Sequence, residues 1–160
     1  MALLAIAPAC ARKAEPPAPR EVELGGHRVQ VIVPAAWDLV DQGSVKRFRK
    51  GESEIALQNL GTPKSEPRDL DGLVDWGLRA LDHNKDRQEE KSRVAHVIDG
   101  RDAVYVETWA RLDHSNPHRY LLINDGGDLL TLHTPRMALE DTLTAFDSIR
   151  QSIHFVSERR

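Results

Sequence analysis

Apolar residues recur at every second position in segment 27–37 of the first half of the chain, and two further strands are predicted at 44–48 and 54–60. Alternation with a period of two is typical of a strand that is buried on one face. In the first segment a valine occupies every second position from 29 to 33, and Pro34 then ends the strand because it has no backbone N–H to donate. Lys50 and Gly51 predict the turn between the other two segments. The first half is therefore predicted to be a small antiparallel meander.

Two later segments carry apolar residues at helical spacing instead. Asp69 stands where an N-cap side chain would accept hydrogen bonds from the first turn of a helix. One apolar stripe follows it: Leu70, Leu73, Val74, Gly77, Leu78 and Leu81. The polar run 83–91 is expected to be a solvated loop. A last helix is predicted to start near Arg136, behind Pro135, with a second stripe: Leu139, Leu143, Phe146, Ile149 and Ile153.

Between the two predicted helices the period returns to two, and four strands are expected: 94–98, 103–112, 119–124 and 128–134. Asp99 and Gly100 favour a tight hairpin, residues 113–117 favour a wider loop, and residues 125–127 favour a second tight turn. Strands and helices in this order predict an α+β fold, with an antiparallel sheet of six to seven strands sandwiched by two main helices.

Alternation along the later strands also assigns their side chains to two faces. One predicted face is mostly apolar: Val104, Val106, Thr108, Ala110, Leu112, Leu121, Ile123, Leu130 and Leu132. The opposite face mixes polar with large apolar side chains, and part of it is a candidate partner-binding face: Tyr105, Trp109, Arg111, Tyr120 and Leu122. Aromatic and arginine side chains are enriched at interfaces, because they supply anchoring area with little loss of entropy. The alternative is that one of the helices buries this group.

The start of the chain has a different character from the rest. Residues 1–9 form an uncharged apolar run, far shorter than the roughly 20 residues of a transmembrane helix and typical of the end of a secretory signal sequence. Ala7, Pro8, Ala9 and Cys10 resemble a bacterial lipobox, in which the cysteine receives diacylglycerol. Residues 1–10 are therefore predicted to be a truncated signal peptide with lipid attachment at Cys10, and a start codon upstream of Met1 would explain the missing basic residues.

The residues after Cys10 predict a tether rather than a folded element. Residues 11–22 are rich in proline and charge and supply no apolar stripe to bury. Proline-rich segments favour extended polyproline II. We therefore expect a tether over 11–22 and a single α+β domain over 23–156. The alternative is a cytoplasmic protein with a frayed N-terminus and an ordinary thiol.

Composition and charge exclude several classes of protein. A chain of 160 residues with 40% hydrophobic and 29% charged residues is too polar for a polytopic membrane protein and too apolar for a wholly disordered polymer. The formal net charge is −3, and residues 21–160 are more acidic still, so nucleic acid is not an expected partner. Cys10 is the only cysteine, which excludes an intramolecular disulfide and a cysteine zinc site.

No motif for catalysis or for a cofactor is present. Gly-rich phosphate loops and the HExxH, GxSxG and EF-hand patterns are all missing from the sequence, so neither an enzyme nor a bound cofactor is expected. Histidine is the one suggestive excess, and His114, His118 and His133 are a speculative metal site, since the last two should share a sheet face near one end. The competing interpretation is an ordinary polar loop beside a half-exposed strand end. The remaining histidines are expected to be scattered surface or rim residues: His27, His83, His96 and His154.

The order of elements resembles that of a known fold. A strand ends near Pro34 and Trp37, and a meander, a helix, a hairpin containing DGRDAVYVE, two further strands and a closing helix ending SIRQSIHF follow. In this order the chain resembles the PsbP-like fold over roughly residues 21–155. That fold is shared by the extrinsic subunit of photosystem II, a Ran-binding nuclear import factor, and many bacterial lipoproteins and secretion-effector chaperones. The resemblance implies a binding or assembly role, because those proteins share no catalytic constellation.

These expectations combine into one leading hypothesis and two others. The leading one is a membrane-anchored bacterial lipoprotein, facing the periplasm or the exterior, whose non-enzymatic domain binds or helps to assemble an unknown envelope protein. The alternative is a cytoplasmic PsbP-like chaperone or adaptor for a secreted client. A histidine-based metal-binding protein is the third.

Overall fold

The structure is a computed structural model that describes residues 17–65, 69–81, 87–135 and 139–156. These residues form ten strands and two helices, in the order β1 (Pro19–Leu24), β2 (His27–Ile32), β3 (Asp38–Gln42), β4 (Val45–Lys50), β5 (Ser53–Asn59), α1 (Leu70–Ala80), β6 (Gln88–Ile98), β7 (Arg101–Ala110), β8 (His118–Asp125), β9 (Asp128–His133), α2 (Glu140–Ser152) and β10 (His154–Phe155).

The main sheet has seven antiparallel strands in the order β3-β4-β5-β9-β8-β7-β6. The expected α+β class and the upper end of the expected strand number are thus confirmed. A second sheet of three strands, in the order β1-β2-β10, was not expected. It contains the first valine-rich strand, which alternation alone could not separate from the rest of the meander because side-chain periodicity does not say which strands pair.

One face of the main sheet is covered by α2 together with the three-stranded sheet. The cluster between them includes Phe146 and Ile149 of α2, Val29 and Val31 of β2, and Leu121 of β8. The stripe predicted for the last helix accordingly points inward at Phe146 and Ile149, where both side chains are fully buried. Because both α2 and the three-stranded sheet pack on this face, its hydrophobic cluster is the larger of the two.

The opposite face is covered by α1. Asp69 caps this helix as predicted, because its Oδ1 accepts a hydrogen bond from the Gly72 amide at 2.7 Å. The apolar stripe of α1 packs on β7, β8 and β9 through a smaller cluster: Leu73, Val74, Leu78, Val104, Val106, Tyr120, Leu122 and Leu129. Gly77 lies at the closest approach, since a Cβ there would come within 2.4 Å of the Leu129 side chain. The two helices therefore sandwich the sheet, as expected.

Several predicted boundaries were wrong. β1 begins at Pro19, inside the segment expected to be tether, because Val22 and Leu24 are buried in the core and their strand pairs with β2. β6 begins at Gln88, inside the polar run expected to be loop, because pairing with β7 stabilises a strand whose side chains remain largely exposed. Residues 1–16, with Cys10, and Arg136 lie outside the described residues.

The predicted faces of β7 were wrong by one residue of register. β7 pairs with β8 so that Val106 is directly opposite Tyr120. Directly opposed residues share a face, so Val106 lies on the α1 face with Tyr120, whereas the prediction placed it with Leu121 and Ile123. The relation of β8 to β9 is as predicted, with Leu121 opposite Leu132 on the α2 face.

The connection between β7 and β8 explains this error. β7 ends at Ala110, two residues earlier than expected, and the loop 111–117 contains two residues with positive φ, His114 and Asn116. Hairpin register depends on the length and turn type of the loop. A loop this long does not fix the register from sequence, whereas the tight Gly126–Gly127 turn between β8 and β9 does.

Candidate binding surface along the β6 edge

The residues predicted to form one partner-binding face do not share a surface. Tyr120 and Leu122 lie on the α1 face, where they are 3% and 0% exposed beneath the helix. Tyr105 and Trp109 lie on the α2 face, both only partly buried. Arg111 follows the end of β7 and is exposed. Burial under a helix, the alternative left open by the sequence, therefore holds for Tyr120 and Leu122.

The histidines of the speculative metal site are also divided. His118 and His133 share the α1 face on either side of Tyr120, with ring centroids 6.4 and 6.3 Å from that ring. His114 instead stacks on Trp109 at a centroid distance of 4.4 Å. Burial lowers the pKa of His133 to about 4, so this imidazole is neutral at pH 7. Among the described residues, no three or more His, Asp, Glu or Cys side chains are grouped to hold a metal ion.

The helices cover the middle of the main sheet and leave one edge open. α1 packs principally on β8 and β9, and α2 packs principally on β2, β5, β8 and β9. Among the described residues, β6 pairs with β7 alone, and neither helix packs principally on it. Val94 and Val97 of this strand are 47% and 69% exposed, on opposite faces of the sheet. We call the strand Gln88–Ile98 the β6 edge.

The two faces of the β6 edge differ in how they meet the helices. On the α1 face, Arg93 bridges the strand to the helix, with Nη2 2.7 Å from Asp75 and Nη1 3.3 Å from Asp71. Its guanidinium also contacts Glu90, and hydrogen bonds to these carboxylates hold the pKa of Arg93 above its usual range. On the α2 face, no ion pair among the described residues joins the strand to its helix. The α2 face of the β6 edge is therefore the more open one.

The uncovered strip of this open face between α2 and the β6 edge has partly buried side chains of β6 and β7 at its surface, and we treat it as one groove. Three rows of opposed residues cross the sheet beneath it from β6 to β8: Ser92, Glu107 and Arg119; Val94, Tyr105 and Leu121; His96, Ala103 and Ile123. Tyr105 packs against Phe146 of α2, with ring centroids 6.3 Å apart, so the helix stands over the β8 side of these rows. At one end the groove widens into a cavity of about 300 Å³ whose lining includes His96 and Arg150. We call it the α2–β6 groove.

Two guanidinium groups on the helix side of the groove share one carboxylate. Arg119 Nη1 donates to Asp147 Oδ2 at 2.7 Å and to the Leu143 carbonyl at 3.3 Å, while Arg150 Nη2 lies 3.4 Å from Asp147 Oδ1. The Arg150 guanidinium also stands 5.0 Å from the centroid of the Tyr105 ring, a cation–π distance. The Nε atoms of both arginines are buried and have no hydrogen-bond partner among the described residues. Positive charge therefore exceeds negative charge on this wall.

The acidic residues at the ends of the groove already have partners. Asp99 Oδ2 accepts a hydrogen bond from the Phe155 amide at 2.7 Å and lies 2.7 Å from His154 Nδ1. Glu107, towards the other end, lies 3.3 Å from the ammonium of Lys91, which itself stands 5.2 Å from the Trp109 ring centroid. These pairings leave the arginines as the incompletely neutralised charges of the groove.

His27, which was expected to be a scattered surface residue, joins the two sheets instead. Its Nδ1 lies 2.7 Å from Asp125 Oδ2 and its Nε2 lies 2.8 Å from Asp128 Oδ2. Burial lowers the pKa of His27, but the hydrogen bonds to the two carboxylates outweigh it and the net pKa is raised. Hydrogen bonds from Thr62, His27 and Asn59 lower the pKa of Asp128 to about 2. The partners are 98 and 101 residues from His27, so no local sequence signal predicts this cluster.

A smaller cavity of about 200 Å³ lies beside this cluster. Arg101 lines it, with Nε donating to Asp125 at 2.7 Å and the guanidinium 3.7 Å from the Phe155 ring centroid. The charges around it are thus already paired, and its role is to connect β10 and β2 to the turn between β8 and β9. Within the described part of the chain, neither helix has the length and apolar content needed to cross a bilayer.

Comparisons with known proteins identify the fold and leave the family open. No protein-family model and no curated protein matches the chain. Among solved structures, the chain is similar to the solution structure of cyanobacterial PsbP (CyanoP) from Synechocystis sp. PCC 6803, with a TM-score of 0.60 and 17% identity, over 93% of this chain and 98% of that chain. The PsbP-like fold predicted from the order of elements is therefore confirmed. At this identity the similarity shows the fold alone.

Proposed function

We propose that this protein is a non-enzymatic binding or assembly module of the bacterial cell envelope, anchored to a membrane by a lipid on Cys10. The β6 edge carries the binding part of the proposal. Val94 and Val97 are exposed on the last strand of the main sheet, where a partner could reach their side chains and the unpaired side of the strand. The PsbP-like fold and the lack of catalytic motifs support a role in binding rather than in catalysis.

The anchoring part of the proposal depends on the first eighteen residues. An apolar run and small residues precede Cys10, as in a lipobox, and the folded domain begins at Pro19. Residues 11–18, extended as polyproline II at about 3.1 Å per residue, would separate the domain from the lipid by about 25 Å. Stable attachment takes more than one acyl chain, which a mature bacterial lipoprotein has.

Membrane fractionation of cells that express the gene together with any codons upstream of Met1 tests the anchor. We expect the wild type in the membrane fraction, labelled by radioactive palmitate, and Cys10→Ser in the soluble fraction without label. Ala14→Ser is the matched control, because it makes a similar small change in the tether and keeps the thiol. Identical fractionation of wild type and Cys10→Ser, with no label on either, would overturn the anchor and favour the cytoplasmic chaperone or adaptor.

Co-purification of envelope proteins from solubilised membranes tests the β6 edge. We expect Val94→Lys and Val97→Lys each to reduce recovery of a partner, because a lysine would place a charge in a desolvated interface. Leu112→Lys is the control, since Leu112 is fully exposed in the loop between β7 and β8, outside the β6 edge. Equal loss with the control, or none with either valine, would contradict the proposed surface.

A further inference from the structure

We propose that the α2–β6 groove binds a segment of the partner protein that combines acidic and apolar side chains, with a carboxylate of that segment seated at Arg150. This inference rests on the proposed function, because it assumes a protein partner. It goes further by naming the chemistry of the partner and the residue that selects it. The groove supplies a cationic wall and an apolar floor, and the occupant should match both.

The cationic wall favours a carboxylate. Asp147 is shared between Arg119, which it contacts at 2.7 Å, and Arg150, which it contacts only at 3.4 Å. The Arg150 side chain is about a quarter exposed although its Nε is buried, so a carboxylate from outside can approach only the exposed part of the guanidinium. Guanidinium groups bind carboxylates through paired, charge-assisted hydrogen bonds, which are stronger than neutral ones. A carboxylate of the partner segment would balance the positive charge that Asp147 neutralises only in part.

The floor favours apolar contact beside that carboxylate. Val94 is directly opposite Tyr105 across β6 and β7, and Val94 is 47% exposed. The Arg150 guanidinium lies over the Tyr105 ring, so the charged position and the apolar floor are adjacent. His96 forms an edge contact with Tyr105 and lines the 300 Å³ cavity further along. A short segment that places a carboxylate next to an aliphatic side chain fits this arrangement.

The charge distribution disfavours a polyphosphate such as nucleic acid. Asp99, Glu107 and Asp147 lie at the ends and on the wall of the groove, and the whole chain carries a formal net charge of −3. A continuous row of phosphates would be repelled on both sides of Arg150. A segment with separated carboxylates avoids these positions, and the surrounding negative field would direct it towards the arginines.

Fluorescence anisotropy with the full chain tests the inference. The probe is a short labelled peptide with one glutamate between leucines, and its controls replace the glutamate by glutamine or by lysine. We expect only the glutamate peptide to bind, with weaker binding at higher salt. Arg150→Gln should weaken it about tenfold, the usual effect of losing one charge-assisted hydrogen bond. Arg150→Lys should recover part of the loss, because a lysine keeps the positive charge but lacks the paired N–H donors of a guanidinium.

Two further variants separate recognition from folding. Val94→Ser should weaken binding of the glutamate peptide, since it removes part of the exposed floor without changing a charge. Arg79→Gln should leave binding unchanged, because Arg79 is an exposed arginine on α1, across the sheet from the groove. Equal affinity for the glutamate and glutamine peptides, binding of a single-stranded oligonucleotide at the same site, no binding of any peptide, or equal loss with Arg79→Gln would each overturn the inference.

The same variants in the co-purification assay distinguish failure of this inference from failure of the proposed function. If a partner is recovered from membranes and Arg150→Gln reduces its recovery, the groove is supported in the native setting. If a partner is recovered equally with wild type and Arg150→Gln, the binding module stands and the groove is wrong. If the wild type recovers no partner at all, the proposed function itself is contradicted.

Discussion

The centre of the main sheet and its β6 edge are both strands with apolar residues, yet their surroundings differ. β8 contains the unbroken apolar run 120–123, because helices cover it on both faces and every side chain in that run is buried. The β6 edge carries charges in its first half, a register irregularity between Glu90 and Ser92, and two exposed valines in its second half. Charges and bulges protect an edge strand from pairing with other chains.

This comparison separates residues that the fold needs from residues that it does not. At the centre, apolar side chains contribute the hydrophobic free energy that holds the layers together. At the edge, the protective features stop before Val94, and Val94, Ala95 and Val97 are uncharged and exposed. We interpret this difference as a mark of binding, and the following substitutions test it.

Among these substitutions, one at the centre of the main sheet should reduce the free energy of unfolding most. Phe146→Ala should lower the free energy of unfolding by about 3–5 kcal/mol, because it removes a fully buried ring from the contact between α2 and the sheet and leaves a cavity. Chemical denaturation measures this as a lower midpoint with an unchanged slope. A loss below about 1 kcal/mol would mean that the α2 face is loosely packed and that the centre resembles the edge.

The second effect concerns the closest contact between a helix and the sheet. Gly77→Val should cost about 1–3 kcal/mol, because its Cβ would come within 2.4 Å of Leu129 and 2.7 Å of Leu122, both fully buried. Ala80→Val is the matched control, since Ala80 is exposed on the same helix and the change there affects only helix propensity. Similar losses in both variants would show that α1 does not pack closely on the sheet.

The third effect is pH-dependent and concerns the contact between the two sheets. The pKa of His27 is raised in the folded protein, so its contribution to stability is fully present below the unfolded pKa of about 6.5 and is lost as pH rises through the folded value. Denaturation of the wild type between pH 6 and 9 should show this fall, and His27→Gln should remove it. An identical pH dependence in both proteins would contradict a protonated His27 between its two carboxylates.

The smallest expected effect on stability is at the edge. Val97→Thr should change the free energy of unfolding by less than about 0.5 kcal/mol, because the side chain is 69% exposed and β6 keeps its pairing with β7. Recovery of the partner in the co-purification assay should nevertheless fall. A large loss of stability would show that Val97 has a structural role, and the comparison between centre and edge would then fail.

Much of the fold could be predicted from local patterns. The α1 stripe and its Asp69 cap, the Asp99–Gly100 turn with both residues at positive φ, and the pairing of β8 with β9 each depend on residues close in sequence. The candidate groove could not be predicted in this way. The sequence places Tyr105 in a candidate partner-binding group, but the wide loop 111–117 hides which residues share its face. Arg150 gave no signal, because its i,i+3 pair with Asp147 is ordinary for a helix and its contact with Tyr105 joins elements far apart in sequence.

Local patterns were enough to place both helices, most strands of the main sheet and the tight turns, and to show that catalytic motifs are lacking, because these follow from periodicity and from residues that are neighbours in the chain. They did not predict β1, β3 or β10. The three-dimensional packing alone shows that the strands divide into two sheets, that Tyr120 is buried while Val94 is exposed, and that His27 meets Asp125 and Asp128. These outcomes depend on loop geometry and on contacts between residues far apart in sequence. Local sequence patterns contain no information on either.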